Sequence, residues 1–234
     1  LTAVVAGGFL AGMTGTLERN PGLLVLIPAA IGMRGNIFGA LGSRLATSIH
    51  AGTFRMSRRN DSLVIQNAIA AASLSLVTAL VLAVLTKVLA PIFGLSSVIA
   101  ISDLIVMSVI GSLLSFIVLI AVTLALAARS AERGWDLDDV NAPLVSAVGD
   151  VVTLPALLVA SLLLEMSNFT VVLSAIVIVA TLVSLGWVRQ SRLNLVRLIL
   201  WESLPILLAT GIVLVIAGVV IEHELAAFAE NRAM

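Results

Sequence analysis

The sequence contains no cysteine, which excludes disulfides, thiolate metal sites and cysteine nucleophiles. Charge is scarce as well. Of the 234 residues only 11% are charged while 60% are hydrophobic, a balance that a water-soluble domain could not spread over its surface. Neither sign of charge dominates, with 13 basic and 13 acidic residues, so nothing favours a nucleic-acid partner or an acidic tail. His50 and His223 are far apart and fit no zinc spacing. Gly7, Gly8 and Gly12 lie in an apolar run, and no Gly-Lys-Ser/Thr follows them, so direct ATP use is not expected. A paired nucleophile and base is also missing, which leaves no basis for an enzyme.

Long apolar runs take the place of these features, and the mean hydropathy is +1.19. About 18 apolar residues suffice to cross a hydrocarbon core roughly 30 Å thick. Such runs predict spans at 1–17, 22–52, 62–92, 99–128, 139–165, 168–188 and 198–221. The expected fold is therefore an all-α membrane protein, a polytopic helical bundle of about seven spans. The first run lacks a basic n-region and a small-residue cleavage site, so it does not read as a signal peptide. The natural amino terminus is expected to lie upstream of it.

Basic residues set the expected orientation. Arg55, Arg58, Arg59, Arg129, Arg133, Arg189, Arg192 and Arg197 gather in the connections 53–61, 129–138 and 189–197, which alternate to one face. Short basic loops stay on the cytoplasmic side, so this face and the amino end are expected inside, in a cell (plasma) membrane. The opposite connections carry little beyond Arg19 and Lys87.

Pro28, Gly32, Gly35, Gly39 and Gly42 crowd the second span, where small residues either bring helices close or open a broken helix. The last span also echoes the first. Leu204, Ala209, Gly211 and Gly218 match Leu1, Ala6, Gly8 and Gly15 at an offset of 203, and Glu18 and Glu222 follow. On this match the chain stops just inside a second, parallel repeat, with residues 1–190 as one unit and a linker and further span at 191–234.

Charge within a span is the most informative signal, because it costs at least ~2.5–3.5 kcal/mol by insertion scales. Arg34, Arg44 and Asp150 qualify. Asp150 falls about ten residues into its span, some 15 Å deep. Ser146 and Thr153 lie four residues before and three after it, on one helical face, with Asn141 and Pro143 nearer the cytoplasm. Oxygen ligands without thiolates or paired imidazoles suit a hard cation: Mg²⁺, Ca²⁺ or Mn²⁺. One carboxylate per chain is too few, but two related by symmetry can hold a hydrated Mg²⁺ through its water shell. The competing structural reading pairs Asp150 with Arg34 or Arg44 inside the bundle, and Arg44 can instead snorkel. Asp136, Asp138 and Asp139 read either as a solvated helix start or as an acidic vestibule that concentrates cations. Asp103 and Glu165 invite the same two readings.

Two stretches carry a resemblance. Ile27-Pro28-Ala29-Ala30-Ile31-Gly32-Met33-Arg34-Gly35-Asn36, followed by Gly42-Ser43-Arg44-Leu45-Ala46-Thr47, resembles the proline–glycine–basic–glycine–asparagine motif and serine-arginine pair of the MgtE-type divalent-cation transporters. Asp138-Asp139-Val140-Asn141-Ala142-Pro143-Leu144, running on to Asp150 and Thr153, is similar to that family's acidic connection and pore-helix signature. The eukaryotic magnesium solute-carrier relatives are the nearest in pattern. The resemblance implies that the second and fifth spans line a pathway at a two-fold or pseudo-two-fold interface, with Asp150 binding the cation. It also makes Asn36 and Ser146 pore-lining polar groups and Gly35 part of the pathway motif. The bacterial members' cytoplasmic magnesium-sensing region is not seen in these residues.

The expected function is transport of a divalent cation, Mg²⁺ before Mn²⁺ or Ca²⁺, across the bilayer by a homodimer or a two-repeat chain. The metal set is Asp150, Ser146, Asn36 and Thr153, with Asn141, Asp138, Asp139 and Gly35 along the pathway. A proton- or sodium-coupled exchanger and a non-transporting scaffold subunit are the alternatives.

Overall fold

The computed structural model describes residues 2–20, 22–57, 59, 62–95, 98–165, 167–191 and 193–233. Leu1, Arg58 and Arg192, and the side chains of Ala6, Glu18 and Glu165, lie outside the described residues. The helices are α1 (Thr2–Gly12), α2 (Thr14–Arg19), α3 (Leu23–His50), α4 (Leu63–Ile92), α5 (Ile101–Arg133), α6 (Leu137–Ser161), α7 (Ser167–Gln190) and α8 (Asn194–Ala233), with a 3₁₀ turn at Leu162–Glu165.

Among the described residues, six helices are long and apolar enough to cross a membrane, α3 to α8. The first expected span is replaced by two short helices. Met13 breaks it, with φ −92° and ψ 2°, and the 11 residues of α1 reach only about 16 Å. Gly7, Gly8, Gly12 and Gly15 weaken a helix here by roughly 1 kcal/mol each relative to alanine. The break lets Met13 enter the core, where it is 1% exposed.

Local chemistry fixes the other helix ends. Ser62 caps α4 by accepting the Ile65 N–H at 3.3 Å. Gly134 ends α5 in the left-handed region at φ +67°, which a residue with a Cβ rarely adopts. Asp136 then caps α6 by accepting the Asp138 N–H at 3.0 Å, and Asp138 and Asp139 occupy the first turn, where the helix dipole favours them. Lys87 donates to the carbonyls of Val98 and Ile99 at 2.9 and 2.8 Å, which ties the end of α4 to its connection.

Helix α3 stands at the centre, packed against α4, α5, α6 and α8. It stays unbroken over 28 residues despite Pro28. Close packing accounts for two of its glycines: a Cβ on Gly32 would lie 2.6 Å from Leu214 of α8, and one on Gly42 would overlap the Asn141 side chain of α6. Gly35 and Gly39 meet nothing within 4 Å. Phe38 is fully buried, its ring 5.7 Å from that of Phe116 on α5. Helix α7 lies outermost, touching chiefly α5 and leaving Val172, Ile176 and Val183 bare, as a lipid-facing helix would.

The carboxyl-terminal helix is clamped to this centre. Glu222 on α8 accepts the N–H groups of Gly22 and Val25, each at 3.1 Å, and so caps α3 from 200 residues away. A carboxylate at a helix start is worth about 0.5–2 kcal/mol as a cap, with a further 0.3–1 kcal/mol from the dipole. Glu222→Ala should therefore lower the melting temperature of the detergent-solubilised chain by roughly 2–10 °C. An unchanged melting curve would contradict the clamp. Gly211 and Gly218 lie in the same seam against α3 and α4, whereas their sequence counterparts Gly8 and Gly15 meet no other helix within 4 Å.

Candidate cation site

Asp150 stands thirteen residues beyond Leu137, the start of α6, about 20 Å along the helix and close to its middle. Asp139, Pro143, Ser146 and Asp150 follow at steps of four, three and four, so they share one helical row. That row is uncovered: the first three are exposed and Asp150 is half-buried. Asn141 points the opposite way, buried against Gly42. Thr153 is wholly buried, and its hydroxyl finds no hydrogen-bond partner. The α6 set is thus split: Ser146 with Asp150 outside, Thr153 and Asn141 under cover.

Neither intramembrane arginine reaches Asp150. Arg34 donates to the Ala30 carbonyl at 3.0 Å, and Arg44 donates to the Ser203 hydroxyl at 2.9 Å. Among the described residues Asp150 has no hydrogen bond and no ion pair. Its carboxylate therefore does not serve as a counter-ion within this fold.

Helix α3 carries a matching row. Asn36, Ser43 and Thr47 are exposed and Ala40 half-buried, again at steps of four, three and four. This row lies between the side that packs on α6 through Gly42 and the side that meets α8 through Arg44. Gly35, half-buried with open space around it, flanks Asn36. Asn36 also borders a cavity of about 480 Å³, shared with Arg44, Glu202 and Ser203. At one end of the bundle the Ser43 hydroxyl of the α3 row donates to Asp138 in the first turn of α6 at 3.0 Å.

The same end holds a group that sequence spacing did not reveal. His50, the last residue of α3, lies 3.7 Å from Asp136, and ligand atoms of His50, Asp136 and Asp138 fall within 4.8 Å of one another. All three are exposed. The tertiary packing of α3 on α6 gathers them; a lone histidine 86 positions away from an aspartate carries no local signal.

Two packed membrane helices, each with an uncovered polar row, carry an unpaired carboxylate in mid-span. A family model described as MgtE, divalent cation transporter, matches residues 27–160, more than half of the chain, from within the first turns of α3 into the last turn of α6. The chain belongs to the MgtE family. Solute carrier family 41 member 2 of Mus musculus is 31% identical to this MgtE chain over 144 residues, covering 58% of it and 24% of the relative. The proteins of the same name from Homo sapiens and Gallus gallus are each 29% identical over the same length and with the same coverage. The matched stretch thus spans about a quarter of the length of these curated relatives. No solved structure matches this MgtE chain.

Proposed function

We propose that this MgtE chain passes Mg²⁺ through the bilayer along the uncovered rows of α3 and α6, with Asp150 as the principal ligand. The unpaired Asp150 carboxylate carries this reading. A charge in mid-span that faces neither protein nor a partner is costly in lipid, and an ion pathway completed by a second unit removes the cost. A second copy of the chain, or a second repeat, covers the rows and brings a second carboxylate opposite the first.

Mg²⁺ gives up its water reluctantly and needs near-octahedral oxygen geometry. Two carboxylates facing across a two-fold interface hold the hydrated ion through its water shell, while Ser146 and Asn36 offer neutral oxygens along the way. Thr153 and Asn141 support the α6 helix from beneath. The exposed carboxylates of Asp136, Asp138 and Asp139 at the basic-loop end raise the local concentration of cations before entry. We place that end in the cytoplasm, in a plasma membrane, because the connections 53–61, 129–138 and 189–197 hold most of the arginines. Mn²⁺ and Ca²⁺ are competing ions with similar ligand preferences.

The membrane potential drives the ion, supplying ~2.3 kcal/mol per elementary charge per 100 mV. No coupling ion enters this mechanism. Mg²⁺ uptake into proteoliposomes at fixed potential should therefore stay constant as the proton and sodium gradients are varied. Uptake that follows either gradient would replace the channel-like pathway with an exchanger. Loss of Mg²⁺ uptake in Asp150→Asn, with folding retained, tests the site itself.

A further inference from the structure

Arg34 has no part in the proposed pathway. It points away from the uncovered row of α3 and is 4% exposed. It lines a small, partly open space between α3, α4 and α5 together with Ser75, Thr78, Ser108 and Ser112. Among the described residues no carboxylate borders this space. A guanidinium buried among membrane helices without a counter-ion is costly and calls for an explanation.

The Thr78 hydroxyl donates to the Leu74 carbonyl at 2.7 Å, that of Ser108 to the Ala79 carbonyl at 2.6 Å, and that of Ser112 to the Ser75 carbonyl at 3.3 Å. Their protons are committed. Arg34 uses one Nη1 proton on the Ala30 carbonyl, and its Nε–H has no partner. The Ser75 hydroxyl, 5% exposed, has none either. Two donors, the Nε–H of Arg34 and the Ser75 hydroxyl, are therefore unpaired, and the acceptors around them are neutral hydroxyl oxygens rather than a negative charge. The space is about 10 Å³, at the lower limit for a single water-sized species.

We propose that the Arg34 guanidinium and the Ser75 hydroxyl hold a monovalent anion of halide size in this space. The anion neutralises the buried charge and accepts the free N–H and O–H bonds. It ties α3 to α4 and α5 behind the cation pathway without entering it. A single buried water satisfies the same donors and leaves the charge uncompensated, which makes it the competing occupant.

The test uses the whole chain, purified in detergent at constant ionic strength, with bromide replacing gluconate. The melting temperature should rise by about 3 °C or more and saturate with bromide, because the anion binds only the folded state. Ser75→Ala should shift the half-saturating bromide concentration upward about 10-fold, the loss of one hydrogen bond to a charged group. Arg34→Gln should abolish the response; should that variant not fold, Ser75→Ala alone decides, since a non-specific salt effect would survive it unchanged. Crystals grown in bromide should show an anomalous peak in the space between Arg34 and Ser75. Equal melting curves in bromide and gluconate, an unchanged response in Ser75→Ala, or a water without anomalous signal at that place would each overturn the proposal.

Discussion

Asp150→Asn should cut Mg²⁺ uptake by proteoliposomes about 100-fold or more while leaving the fold intact. Interactions with a charged group are worth about 1.5–3 kcal/mol each, and a symmetric site loses two of them at once. The sum is at least ~3 kcal/mol, and every 1.4 kcal/mol is a factor of ten. The fold has little to lose, because Asp150 bonds to no residue described and neither Arg34 nor Arg44 leans on it. Melting curves without divalent ions should match the wild type, and the stabilisation that added Mg²⁺ gives the wild type should vanish. A scaffold subunit predicts the reverse pattern: unchanged uptake, or none in either protein.

Gly218→Leu should lower the melting temperature by about 6–12 °C. A Cβ at this position would lie 2.9 Å from the Cα and 3.0 Å from the carbonyl carbon of Val25, backbone atoms at the start of α3 that have no rotamer to escape into. Helix α8 must then move off α3, and the same displacement pulls Glu222 from the N–H groups of Gly22 and Val25. Overpacking of this kind costs about 3 kcal/mol or more, and each kcal/mol shifts the melting temperature of a chain this long by about 2–4 °C. Gly8→Leu is the control, since Gly8 meets nothing within 4 Å and should change little. A wild-type melting curve for Gly218→Leu would contradict the α3–α8 seam.

The helices from α3 onward were legible because a span announces itself in apolar length alone. The expected 62–92 became Leu63–Ile92 and 168–188 became Ser167–Gln190. The first span failed for a local reason, since apolar length does not register the glycines around Met13. Faces were harder to read. In lipid both the packed and the bare side of a helix are apolar, so the pattern that marks a core face in water is weak. Helical spacing put Ser146 on the row of Asp150, and the exposures agree. The same spacing could not tell that Thr153 is wholly buried, or that Asn141 fills the space a Cβ on Gly42 would need. Contacts across long separations were invisible altogether: Glu222 on the start of α3, Arg44 on Ser203, and His50 beside Asp136. Each depends on which helices become neighbours, and that is decided by the whole bundle.

The central claim is that Asp150 supplies half of a symmetric cation site. Its most direct test is the stoichiometry of Mn²⁺ binding, measured by equilibrium dialysis with electron paramagnetic resonance on wild-type and Asp150→Asn chains. The account predicts one Asp150-dependent ion for every two chains. One such ion per chain, or equal binding by the two proteins, would contradict it.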